Sequence, residues 1–141
     1  MTSAYVVDAS VVMKLFVSEE QSPQALALLH QVTQREAMKL YAPDLLYIEC
    51  ANAFWKYTQR YSYPEEKAKR NLRRLALLPL KWVSVYELFT EVYDIAVERY
   101  ITAYDACYLL LSHKLDISLV TADKKLLTVD SAIIWLGNYP W

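Results

Sequence analysis

Ala4-Tyr5-Val6-Val7-Asp8-Ala9-Ser10 is the stretch on which the architecture turns. Four apolar or aromatic residues without polar alternation read as a strand buried on both faces, and such strands belong to parallel sheets covered by helices. The run stops on a carboxylate, and a short helix is expected directly after it, from Ser10 to Phe16. The same alternation repeats down the chain. Pro23 opens a helix whose Ala25, Leu28, Leu29 and Val32 are spaced for one apolar face. Met38 to Ala42 reads as a strand stopped by Pro43, and Asp44 to about Arg60 as a helix. Ser62 and Glu65 stand at capping-box spacing around Pro64, ahead of a helix whose Ala68, Leu72, Leu75 and Ala76 share one side; Pro79 ends that helix. Trp82-Val83-Ser84-Val85 is the next expected strand. Helices follow from Tyr86 to Arg99 and from Ala103 to Lys114, then a strand from Ile117 to Thr121. A helical turn over Lys124 to Leu127 and a short strand, Ala132 to Trp135, complete the order. The single glycine, Gly137, leaves few residues for hairpin turns. The reading is an α/β fold with a central parallel sheet, and no repeat or linker divides residues 1–141 into more than a single domain.

Composition narrows the function. A hydrophobic content of 55% excludes a disordered chain. No apolar run approaches the ~18 residues that cross a bilayer. The N-terminus has no basic-then-apolar leader pattern, so a cytoplasmic protein is expected. Cys50 and Cys107 lie among apolar helical residues without metal spacing and read as small core side chains. His30 and His113 read as surface or satisfied residues. The net charge of −1 conceals a segregation. Lys56 to Lys81 carries eight cations against Glu65 and Glu66, while the rest of the chain holds seven cations and fourteen acids. A polyanion held beside an acidic site would suit that division, as would a solvated helix face.

Four acids interrupt apolar surroundings: Asp8, Glu49, Asp105 and Asp123. In an open parallel sheet, Asp8 and Asp123 fall just beyond the carboxyl ends of two strands, where such sheets form their ligand crevice. Glu49 falls inside a helix, sharing one side with Asn52, Ala53 and Lys56. Asp105 falls near a helix start. Each has an architectural explanation as well. Asp8 and Asp123 can cap the turns that follow them, Thr102 and Asp105 have capping-box spacing, and Glu49 can face solvent. Carboxylates gathered without cations repel one another, and a shared divalent cation is the simplest reason for them to meet.

Four segments carry a resemblance. Val6-Val7-Asp8-Ala9-Ser10-Val11-Val12 resembles the opening of PIN-domain nucleases, and Leu46-Tyr47-Ile48-Glu49-Cys50-Ala51-Asn52-Ala53 their second motif. Tyr104-Asp105-Ala106-Cys107-Tyr108-Leu109 is similar to the third, and Leu119-Val120-Thr121-Ala122-Asp123-Lys124-Lys125-Leu126 to the fourth. Order and length agree over nearly the whole chain, and the short form is most similar to VapC-type toxins of prokaryotic toxin–antitoxin pairs. The resemblance implies a three-layer α/β/α PIN-like fold with a mainly parallel sheet of about five strands. It also implies a Mg²⁺- or Mn²⁺-dependent endoribonuclease. Its acidic residues fall on Asp8, Glu49, Asp105 and Asp123, with accessory hydroxyls at Ser10 and Thr121. The chain departs from the family in Lys114-Leu115-Asp116-Ile117, which has no glycine where relatives often do.

The chemistry of the donors agrees with that implication. Carboxylate oxygens suit hard cations such as Mg²⁺ or Mn²⁺, whereas zinc would call for histidine or cysteine. Asp8 is expected as the central ligand, with Glu49 and Asp105 beside it and Asp123 on a weaker second ion or acting through water. Ser10 and Thr121 would orient ligands or a water. The basic helix with Lys67, Arg70 and Arg74 is a candidate for gripping the RNA backbone, with an ordinary solvated face as the equal alternative, and Lys14 and Lys56 lie near the expected mouth. Tyr57, Tyr61 and Tyr63 can stack on unpaired bases, although core or dimer contacts suit most of the twelve tyrosines better. A VapB-type antitoxin whose cationic side chain enters the acidic pocket, and a homodimer, are the implied partners. A catalytically silent module that recognises RNA or protein through the acids stays open. A phosphoaspartyl enzyme is disfavoured, because Ser10 stands where haloacid-dehalogenase phosphatases have a second Asp.

Overall fold

The structure, a computed structural model, describes residues 3–34 and 38–141. Five strands form one sheet: β1 (Ser3–Val7), β2 (Met38–Pro43), β3 (Leu80–Val83), β4 (Ser118–Thr121) and β5 (Ile133–Trp135). Their order is β3-β2-β1-β4-β5, and every pairing is parallel. Among the described residues six α-helices cover the sheet: α1 (Ala9–Met13), α2 (Ser22–Gln34), α3 (Leu45–Tyr61), α4 (Glu65–Leu75), α5 (Phe89–Arg99) and α6 (Ala103–Leu115). Helix α1 packs on α3, α3 on α4 and α5 on α6; with the right-handed crossovers that parallel strands require, α1 to α4 fall on one face and α5 with α6 on the other, the expected three layers. Among the described residues no helix is long and apolar enough to cross a membrane.

The core follows the apolar runs. Val6 and Val7 of β1 and Leu119 and Val120 of β4 are buried on both sides, as central parallel strands require. Helix α6 is buried continuously from Ala106 to Ser112, because the sheet lies against one side and α5 against the other. Helix α5 therefore forms the outer surface of that layer, and its Phe89, Tyr93 and Val97 face outward.

Three local expectations change. Ser62 does not cap α4; it closes α3 in the left-handed region (φ 53°), its N–H donating to the Tyr57 carbonyl, and Pro64 takes the N-cap position with no side-chain bond. The third strand runs two residues earlier than Trp82–Val85. Ser84 is drawn out of it to cap a 3-10 turn over Val85–Glu87, accepting from the Tyr86 N–H. In the α4 face, Ala76 is exposed and Asn71 is buried instead, its amide donating to the Tyr63 hydroxyl at 2.8 Å. The glycine-free segment before β4 is accommodated by Asp116, which takes the left-handed conformation (φ 53°, ψ 48°) and closes α6. Asp is among the residues that tolerate it best.

Candidate active site

The strand order reverses between β1 and β4: the chain moves from β1 outward to β2 and β3, then returns to β4 and β5. A crevice at the carboxyl ends of the two strands flanking such a switch point is where open α/β sheets place ligands. Val7 pairs with Val120, so the next residues, Asp8 and Thr121, emerge side by side at that point. Asp8 is 6% exposed. Its Oδ1 accepts from the Ser10 hydroxyl at 2.5 Å and the Val11 N–H at 3.2 Å. Its Oδ2 accepts from the Thr121 hydroxyl at 2.5 Å. Ser10 and Thr121 are themselves held, Ser10 Oγ by the Ala122 N–H at 2.9 Å and Thr121 Oγ1 by the Asp123 N–H at 3.1 Å. The carboxylate at the end of β1 is thus locked to the loop after β4 by neutral donors alone.

The other acids enter from the surrounding helices. Glu49 lies just past the first turn of α3, which leaves the carboxyl end of β2, and accepts from the Tyr108 hydroxyl of α6 at 2.5 Å. Asp105 sits in the first turn of α6, whose N-terminus lies at the same end of the sheet because α6 runs back toward the start of β4. Its N–H donates to the Thr102 hydroxyl at 3.1 Å. Asp123 opens the turn after β4 and accepts from the Lys125 N–H at 3.0 Å. Each architectural reading holds in part: Asp8 caps α1, Thr102 caps α6 and Asp123 caps its turn. Capping does not remove these carboxylates from the crevice.

Their electrostatics are uncompensated. Burial pushes Asp8 from an ordinary 3.8 up to about 6, against the lowering hydrogen bonds of Ser10, Thr121 and Val11, with Asp105 adding to the rise. Glu49 is raised by burial and by Asp105, against its bond from Tyr108; Asp105 is raised by burial and by Asp123. The acids feel one another, and none of them joins an ion pair among the described residues. Lys124, beside Asp123 in sequence, lies over the Trp135 ring at 4.5 Å instead. Burial and the Glu49 charge push the Tyr108 hydroxyl far up, so it stays a proton donor to Glu49.

All six expected site residues border this end of the sheet. Asp8, Ser10 and Thr121 are in direct contact; the charge of Asp105 acts on Asp8 and on Glu49, and that of Asp123 on Asp105. Among the described residues, no three His, Cys, Asp or Glu side chains stand as a ready-made ligand cage. Tyr108 is the participant that sequence reasoning missed. Its signal was a single hydroxyl-bearing ring one turn after Asp105, in an otherwise apolar run. Cys50 and Cys107 are buried free thiols, raised by burial to about 12 and about 11, and take no part. His113 is satisfied by Asp130 at 3.0 Å and His30 is exposed.

The PIN domain family model matches residues 5–132. Ribonuclease VapC3 of Pyrobaculum aerophilum is 35% identical over 123 residues, covering 86% of this chain and 90% of that protein. This chain is a PIN-domain protein of the VapC ribonuclease family. A Pyrobaculum aerophilum protein of known crystal structure superposes with a TM-score of 0.68 at 26% identity, over 96% of this chain and 92% of that one. A toxin–antitoxin complex from Klebsiella pneumoniae shares the fold, with a TM-score of 0.61 at 16% identity over 92% of this chain and 95% of that one. VapC ribonucleases of the PIN family are generally dependent on a divalent metal. The donor set here fits a hard cation in kind, being all oxygen, partly desolvated and unpaired with any cation.

Proposed function

We propose that this PIN-domain chain is an endoribonuclease hydrolysing RNA phosphodiester bonds with a divalent cation, Mg²⁺ or Mn²⁺, held by Asp8, Glu49, Asp105 and Asp123. The observation that carries the reading is Asp8: a nearly buried carboxylate, raised to about 6, with three neutral donors and, among the described residues, no cationic partner. A fold tolerates that cost where a ligand relieves it. The ion's chemistry, when bound, is neutralisation of phosphate charge and a more acidic water. The rest is done by the protein. Ser10 and Thr121 fix both oxygens of Asp8, Tyr108 fixes Glu49, and the capped N-terminus of α6 holds Asp105 in place. A groove of about 590 Å³ leads away from Glu49 past Asn52 and Tyr104 and receives the RNA.

The same reading makes the chain the toxin of a VapBC-type pair, working in the cytoplasm. Its antitoxin would place a cationic side chain among these carboxylates in competition with the metal, since the site presents charge without a counterion. The outward stripe of Phe89, Tyr93 and Val97 on α5, with the Tyr86 ring tilted against Phe89 at a centroid distance of 5.8 Å, supports a homodimer. The experiment is cleavage of mixed RNA by wild type and by Asp8→Asn, with Mg²⁺, with Mn²⁺ and in chelator. Turnover by the wild type with metal alone is expected. Cleavage by both proteins, or cleavage that persists in chelator, rejects the site; RNA binding without turnover leaves a silent module.

A further inference from the structure

Two grooves run end to end along α3. The first opens over Glu49 and reaches Lys56; the second, about 560 Å³, starts at Ala53 and Lys56 and ends at Arg60 and Tyr61. They share Ala53 and Lys56, so one channel leads out from the acidic mouth. Glu49, Lys56 and Arg60 fall on one stripe of the helix, and the channel spans ~16 Å at the helical rise.

The walls of this channel are unequal in charge. On the loop side, Glu19 is spoken for: it pairs with Lys14 at 2.9 Å and accepts from the Tyr57 hydroxyl. Glu19 thereby engages both Lys14, which the sequence places near the mouth, and Tyr57, which it offers for base stacking. On the α3 side, Lys56 and Arg60 are exposed and have no carboxylate partner among the described residues. Tyr61 is 73% exposed, its ring 5.9 Å from the anchored Tyr57 ring. Free cations beside an exposed aromatic ring are the combination that tracks a single strand, whose phosphates need charge and whose unpaired bases need a flat partner. The basic helix α4 does not border this channel. It flanks the other side of α3, where Ala68, Lys69 and Leu72 face Trp55, Thr58 and Gln59.

We infer that the α3 channel seats the RNA strand beyond the scissile bond, with Lys56 and Arg60 on backbone phosphates and Tyr61 stacked on a base. The inference rests on the ribonuclease reading but is tested apart from it, because binding is read without turnover. Full-length Asp8→Asn protein is titrated onto a fluorescent single-stranded oligoribonucleotide at several salt concentrations. Adding Lys56→Gln and Arg60→Gln weakens binding by about tenfold or more and reduces the log–log salt slope by about 1.4, the share of two phosphate contacts on a single strand. Tyr61→Ala loses about fivefold or more, and Tyr61→Phe restores it. Replacing Lys67, Arg70 and Arg74 together by Gln costs less than the α3 pair does. All these positions are exposed, and an unchanged melting profile shows that each variant folds. A salt slope untouched by the Lys56 and Arg60 changes, or a larger loss from α4, overturns the inference and leaves the channel to a protein partner. Wild-type cleavage of the same oligonucleotide reports separately: turnover with an unchanged slope rejects the channel alone, and a reduced slope without turnover rejects the enzyme alone.

Discussion

Asp8 and Asp130 are both carboxylates with little exposure, and the protein treats them in opposite ways. Asp130, with its side chain 8% exposed, is met by Arg99 at 3.0 Å, His113 at 3.0 Å and the Ala132 N–H at 2.8 Å. Burial works to raise it, but Ala132, His113 and Arg99 outweigh burial and hold it below the ordinary carboxylate value. Asp8 is met by two hydroxyls and one amide, and burial wins. The difference separates a carboxylate paired with cations inside the fold from one that, among the described residues, has no cationic partner. Burial alone does not distinguish them; the charge of the partners does.

The largest test of this contrast is turnover. Asp8→Asn is expected to lower RNA cleavage by on the order of a hundred- to a thousandfold, while Asp130→Ala, measured on the same RNA, stays within about twofold of wild type per folded molecule. The contrast then inverts for stability. Asp130→Ala takes from Arg99 one of its partners, the Val129 carbonyl remaining, leaves the Ala132 N–H without its side-chain acceptor, and costs about 2 kcal/mol. In thermal melts this reads as a fall of about 5 °C. Asp8→Asn instead raises the melting temperature of the metal-free protein.

The third test is pH dependence in chelator, where the signs oppose. Asp8 titrates at about 6 in the fold against an ordinary 3.8. Its contribution is complete below the ordinary value and disappears as the pH rises through about 6. Asp130 is shifted down, so its contribution is present above the ordinary value and is lost as the pH falls. Between pH 4.5 and 7.5 the wild type should lose about 2 °C or more relative to Asp8→Asn, and Mn²⁺ at pH 7.5 should recover it. Melts that run parallel for the two proteins would remove the claim that Asp8 is strained. The smallest effect is Tyr108→Phe, which frees Glu49 of its one side-chain donor among the described residues. Activity is expected to drop about fivefold, near 1 kcal/mol, with little change in melting temperature.

Much of this was legible because the deciding signals were local. Buried runs such as Val6-Val7 and Leu119-Val120 identify central strands without any knowledge of their neighbours, and Asp8 and Asp123 are then placed by the general rule for parallel sheets. The third strand was set two residues late because it is an edge strand with Trp82 exposed, so its apolar pattern does not mark its start. Ser62 satisfied a capping-box spacing and still went to the end of α3, since two helices competed for one residue. Tyr108 was hidden in a helix buried on all sides, where periodicity cannot tell which side meets Glu49. The sequence places Lys14 near the mouth and offers Tyr57 for base stacking, and Glu19, in a loop with no periodic pattern, engages both. The parts that escaped sequence reading are tertiary pairings, and the acid site is the place where the pairing is missing.

The most direct test is a crystal grown with Mn²⁺ and measured at a wavelength that reveals manganese by anomalous scattering. Density is expected against Asp8, bordered by Glu49, Asp105 or Asp123, and none at Asp130. Manganese at Asp130, or an empty crevice beside Asp8 at saturating Mn²⁺, would contradict that expectation.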